Sequence, residues 1–79
     1  MAKASSYFTL KNEIEKHDMK NIKQELDKID GILSVSVNIS KSLVAVDYDN
    51  SGTDHQHIQN KLNNLGFEML KISNQEHVM

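Results

Sequence analysis

The chain has 79 residues, a formal net charge of −2, nine lysines without a single arginine, and neither cysteine nor proline. That is enough for one small domain with one core, and it excludes disulfides, a thiolate metal site and a thiol nucleophile. Scattered lysines without arginine weigh against nucleic acid as a partner, and no apolar run approaches the roughly 18 residues that a membrane-spanning helix needs.

The N-terminal "MAKASSYF" has one lysine and no apolar stretch of the kind a secretory signal carries. Together with the lack of cysteine, this points to the cytoplasm. Residues 1–6 read as a flexible end. In "YFTLKN" (7–12), Phe8 and Leu10 share one face and Thr9 and Lys11 the other, the period-2 pattern of a half-buried strand. A charged loop follows. Met19, Ile22, Leu26 and Ile29 then recur at helical spacing, with Asp18 as the expected N-cap and Gly31 after the last periodic residue.

In "ILSVSVNI" (32–39), Leu33, Val35, Val37 and Ile39 alternate with Ser34, Ser36 and Asn38. One face of that strand should be buried and the other wet. A short "SKS" leads to "LVAVDYD" (43–49), where Val44, Val46 and Tyr48 share a face, so the two runs predict an antiparallel hairpin. Thr53 and Gln56 fit a capping box for a second helix, whose stripe is Ile58, Leu62 and Leu65 and whose end is Gly66. "FEMLKI" (67–72) is a last strand whose inward face stays open, since Phe67 and Met69 compete with Leu70 and Ile72. Residues 73–79 read as a flexible tail, and His77 within it is given no role. Strand, helix, strand, strand, helix, strand over 7–72 predicts an α+β, ferredoxin-like βαββαβ sandwich: a four-stranded antiparallel sheet with both helices on one face.

Several of these spacings together resemble the heavy-metal-associated (HMA) domain of small copper chaperones and of the N-terminal modules of metal-transporting P-type ATPases. The matching residues are Ile22, Leu26 and Ile29, then Gly31–Ile32, Val37–Asn38, Val46–Asp47–Tyr48 and Leu65–Gly66–Phe67. The resemblance implies a loop before the first helix that carries Cys-x-x-Cys. Counting back from Gly31 puts Glu15 and Asp18 at the two cysteine positions, so the motif reads "EKHD", and the usual preceding glycine and methionine are replaced by "NEI". Copper(I) is soft and takes sulfur ligands, whereas a carboxylate pair is hard, so thiolate transfer of copper(I) does not carry over.

Glu15, His17 and Asp18, with Glu13 close by in sequence, are the candidate ligands for a harder divalent ion such as zinc, nickel or copper(II), weakly bound if at all. The plainer reading is a solvated acidic loop with a helix cap. His55 and His57 beside Asp54 lie two apart and do not share a helical face, unlike an i, i+4 zinc pair. Phe67 corresponds to the aromatic beside the family's metal loop and reads as core or loop support. Met19 and Tyr48 read as packing.

The leading function is therefore a non-enzymatic HMA-like binding module without the thiolate site, in a protein-interaction or regulatory role in metal handling. Its expected partner is another HMA-type domain or a metal transporter. The alternative is metal binding through Glu15, His17 and Asp18. Acylphosphatases share the topology but need an arginine, and RNA-recognition domains need stacking aromatics where this chain offers Thr9, Lys11, Leu43, Ala45 and Asp47. Neither function is expected, and the oligomeric state stays open.

Overall fold

The computed structural model describes residues 3–77, with the side chains of residues 3–74. In chain order its elements are β1 (Lys3–Leu10), α1 (Lys16–Asp27), β2 (Ile32–Asn38), β3 (Leu43–Asp49), α2 (His55–Asn64) and β4 (Met69–His77). The strands form one antiparallel sheet in the order β2-β3-β1-β4. Both helices cover one face of it, α1 over β2 and α2 over β4. This is the predicted βαββαβ sandwich.

The core is what the two periodicities require. Phe8 stands opposite Val44 on one side and Ile72 on the other, and Ser6 opposite Val46 and Asn74, so even-numbered β1 residues form the floor under the helices. Ile22 and Leu26 of α1, and Ile58 and Leu62 of α2, close over it with no exposed surface. Each such side chain stabilises the fold by about 1.5–3 kcal/mol relative to solvent exposure.

Both ends of the domain run further than the sequence pattern suggested. β1 starts at Lys3 rather than Tyr7, and β4 continues to His77 rather than ending at Ile72. The extra rungs pair Lys3 with His77 and Ala4 with Glu76, and continue inward to Ser6 with Asn74. Hydrophobic alternation misses them because the inward residues are small or polar. Ser6 is fully buried yet satisfied: its hydroxyl donates to Asn74 Oδ1 at 2.6 Å and lies 3.1 Å from the Tyr48 hydroxyl. With the serine proton committed to Asn74, the phenol is left as the donor to Ser6 Oγ. Residues 1–2 and 78–79, the remainder of the expected flexible ends, lie outside the described residues.

Irregular pairing settles two further points. Between Ile32 and Ser34 the register of β2 against β3 slips, so Ile32 faces Tyr48 and Leu33 is turned out, 54% exposed. Leu33 was expected inside with Val35 and Val37; an extra residue in one strand reverses the side on which its neighbours point. Near the start of β4, Leu10 pairs with Met69 and Thr9 with Lys71, which lets Met69 and Ile72 both pack on the core and leaves Leu70 64% exposed. Ile39 lies past the end of β2 and is exposed too.

Two glycines have φ values that favour glycine, but for different reasons. Gly31 (φ +95°) ends the α1 connection with its Cα pressed on Gly52, and an added Cβ would lie 3.2 Å from the Asp49 carbonyl oxygen and from the Gly52 backbone. Gly66 (φ +99°) has nothing within 4 Å of that position. Gly66→Ala should therefore cost only the left-handed backbone penalty, about 1–2 kcal/mol. Gly31→Ala should cost that and a steric term besides. Urea unfolding of the two variants should show the larger loss at Gly31, and equal losses would refute the role of the Gly31–Gly52 contact.

Candidate functional site

The site begins where β1 ends. Leu10 N–H donates to the Ser42 carbonyl at 2.8 Å, and Lys11 N–H to the Glu68 carbonyl at 2.9 Å, so the outgoing chain is held from both sides. The Asn12 side chain accepts from Glu68 N–H at 2.9 Å, which ties the loop to the residue just before β4. Ile14 is buried inside this otherwise polar loop, and Phe67 is buried one residue before Glu68. Phe67, in the α2–β4 connection, and Ile14 belong to the same buried cluster.

α1 starts one turn earlier than expected. Glu15 is the N-cap residue and Asp18 the third helical position, where its Oδ2 accepts the Glu15 N–H at 3.0 Å. Asp18 was expected at the cap itself. It instead plays the reciprocal part of a capping box, closing an amide that the first helical turn would leave unpaired. Ile14 and Met19 then occupy the positions of a hydrophobic staple, an apolar residue just before the cap matched with one in the next turn. That pattern is the signal by which Ile14 was findable in the sequence. Hydrophobic periodicity does not mark it, because a lone isoleucine among charges has no period.

This start of α1 gathers Glu15, His17 and Asp18. His17 Nδ1 lies 3.4 Å from Glu15 Oε2 and its Nε2 3.3 Å from Asp18 Oδ1. One ligand-type atom from each of the three lies within 4.8 Å of the others. Glu15 and His17 are exposed and Asp18 is partly covered. Glu13 is not in the cluster. Of the Asp18 oxygens, Oδ2 serves the cap while Oδ1 faces the imidazole, so a ligand role for Asp18 would fall to Oδ1.

The second histidine group is a helix start and no more. Asp54, not Thr53, caps α2: its Oδ1 accepts the His57 N–H at 2.9 Å and lies 3.0 Å from His57 Nδ1. The hydrogen bond from the His57 backbone, then the charge of His57, hold the Asp54 carboxyl below its ordinary range. Thr53 is buried with its hydroxyl unpartnered among the described residues, and Gln56 bonds Asn60 along the helix instead of closing a box. The predicted Thr53/Gln56 box is thereby replaced by a one-sided aspartate cap. The side chain of His77 lies outside the described residues.

With the geometry in hand, the model of the heavy-metal-associated domain matches residues 19–68. The chain belongs to the heavy-metal-associated domain family. Solved structures superpose on 84–100% of the chain. A CopZ metallochaperone is 21% identical with a TM-score of 0.79, over 84% of this chain and 98% of its own. The N-terminal domain of a potential copper-translocating P-type ATPase from Bacillus subtilis, solved in its Cu(I)-loaded state, is 19% identical with a TM-score of 0.76, over 100% and 95%. Oxidized MerP from Ralstonia metallidurans is 14% identical with a TM-score of 0.75, over 90% and 100%. At these identities the likeness is one of fold. No curated protein sequence is matched. Among the described residues no helix is long and apolar enough to cross a membrane.

The Asp54 carboxyl, depressed in the folded state, contributes stability that is full above the ordinary carboxylate range. That contribution is lost as the pH falls through the lower folded value. Asp54→Ala should therefore lower stability at pH 7 and flatten its decline between about pH 5 and pH 2. Thermal unfolding of both proteins across that range measures the difference.

Proposed function

We propose that this HMA domain works as a non-enzymatic docking module in metal handling, without thiolate chemistry. Its expected partner is a second HMA-type domain or the cytoplasmic part of a metal transporter. The observation that carries this reading is where the family match begins. It starts at Met19 and leaves out the stretch from Glu15 to Asp18, in a chain without cysteine. The scaffold is kept and the copper(I) ligands are replaced by hard donors. What that position offers a partner is fixed negative charge on a rigid helix start. Charge of that kind steers encounter and selects among partners more than it adds affinity.

The proximity of the Glu15, His17 and Asp18 donor atoms supports a second reading, binding of zinc, nickel or copper(II) through one nitrogen and two oxygens. Three exposed protein donors leave the remaining positions to water, which favours weak and pH-dependent binding, lost as His17 protonates.

One experiment separates the two. The 15N-labelled protein is titrated with Zn²⁺, Ni²⁺ and Cu²⁺, and separately with a P-type ATPase HMA domain, and each titration is repeated on Glu15→Lys/Asp18→Asn and on His17→Ala. Asn at position 18 keeps an acceptor for the cap. Docking predicts saturable shifts with the partner domain that weaken at least about tenfold in the charge variant and persist in His17→Ala. Saturable metal shifts confined to the start of α1 and abolished by His17→Ala would establish the second reading. Partner binding indifferent to the charge variant would end the first.

A further inference from the structure

β2 is an outer strand with β3 on one side and, among the described residues, no strand on the other. Exposed edges are usually guarded by charge, proline or extreme shortness. β2 has seven residues, "ILSVSVN", with neither charge nor proline, and its irregularity is confined to its first residues. From Ser34 to Asn38 it is a regular, uncharged edge. Its inward side chains are unfinished as well. Val35 and Val37 are only half-buried, although their cross-strand partners Val46 and Val44 are fully buried.

The first two turns of the helix above this edge carry a row of lysines, which Asp27 ends. Glu25 reaches Lys61 of α2 at 3.3 Å, which orients α1 about its axis. At about 100° per residue, Lys16, Lys20 and Lys23 stand roughly opposite Glu25, on the flank away from α2 and so on the β2 side. All three are exposed, and none forms an ion pair among the described residues. Asp27 continues the row one turn on without pairing to Lys23. α2 carries no such row; its exposed polar residues include Gln56, Asn60, Asn63 and Asn64.

We propose that the open edge of β2 and the lysine flank of α1 together bind an extended acidic segment of another protein by strand addition. Backbone hydrogen bonds to β2 would supply the binding, as in other strand additions. The segment's helix-facing side chains would alternate with those on the open face. Such side chains recur every ~6.7 Å along a strand. The three lysines rise by about 6 Å and then about 4.5 Å along the helix, within reach of flexible side chains. Acidic residues at those positions meet Lys16, Lys20 and Lys23, and an apolar one between them covers Val35 and Val37. A second copy of this chain is the poorer occupant, because two-fold pairing of β2 with β2 would bring two lysine flanks together. This surface adjoins the Glu15–Asp18 cluster at Lys16, runs away from it along α1 and β2, and goes beyond the docking reading above.

The test uses the full 15N-labelled chain and a capped peptide, Thr-Glu-Thr-Val-Thr-Glu-Thr, with a second peptide in which lysine replaces glutamate. Up to about 5 mM peptide, the acidic one should give saturable amide shifts at residues 34–38 and 16–23. It should also slow hydrogen exchange of the outward β2 amides. Lys20→Glu/Lys23→Glu should weaken it at least tenfold, and Glu15→Lys/Asp18→Asn should leave it in place. The absence of shifts, equal shifts with the lysine peptide, or shifts centred on β4 would overturn the proposal. So would a dimer in sedimentation without peptide, or binding of anionic phosphatidylserine vesicles through the same lysines.

Discussion

β1 is hydrogen-bonded along its length to β3 on one side and to β4 on the other, and this double pairing decides where everything else can sit. It sets Phe8 between Val44 and Ile72 as the centre of the floor on which both helices rest. It also delivers the chain at Leu10 to a point where Ser42 and Glu68 grip the backbone, so the loop leaves the sheet in one direction only. In its middle β1 carries a buried serine that only the full pairing can satisfy. A one-residue slip against either neighbour would separate Ser6 from Asn74 or Tyr48 and strand a hydroxyl in the core, a loss of about 1–3 kcal/mol. The register is thus held by the apolar packing of Phe8 and, two residues before it, by a polar trio.

That frame explains how this HMA domain holds its shape without cysteine. The loop is anchored by Ile14, Asn12 and the backbone contacts of Lys11 and Glu68, none of which depends on a metal. Asp18 has a structural task in closing the first turn of α1, so the position would be worth keeping acidic whatever else it does. At the start of α1 stand carboxylates that lie 3.3–3.4 Å from an imidazole, and the chain has no thiolate. α1 then carries negative charge at its start and positive charge along its outer flank, a polarity that would orient an approaching charged partner.

Much of the fold was legible because it is written in periodicity. Ile22 and Leu26, Ile58 and Leu62, and Val44, Val46 and Tyr48 are buried as their spacing promises, while Met19, Ile29 and Leu65 of the same helical stripes are partly buried against the core. The helix starts were less legible, since Asp18 and Thr53 look like caps and the true caps are Glu15 and Asp54. Side chains with acceptors crowd both starts, and a local pattern does not say which of them has the extended backbone that a cap requires. Family spacing pointed to Glu15 and Asp18 and the donor types of the loop added His17, and their ligand-type atoms lie within 4.8 Å of one another. The buried Ile14 behind them was not read, because one residue has no period.

The sequence alone determined the order of elements, the faces of the helices and of β3, the family, and the exclusion of thiolate chemistry. These follow from local spacing and from residue types that cannot be supplied by folding. Tertiary structure alone decided the length of β1 and β4, the outward turn of Leu33 and Leu70, and the pairing of Ser6 with residues 42 and 68 positions away. It also decided that the lysines of α1 stand beside an open strand edge. Each of these depends on which segment lies across the sheet or beside the helix, and a chain read one residue at a time carries no such neighbour.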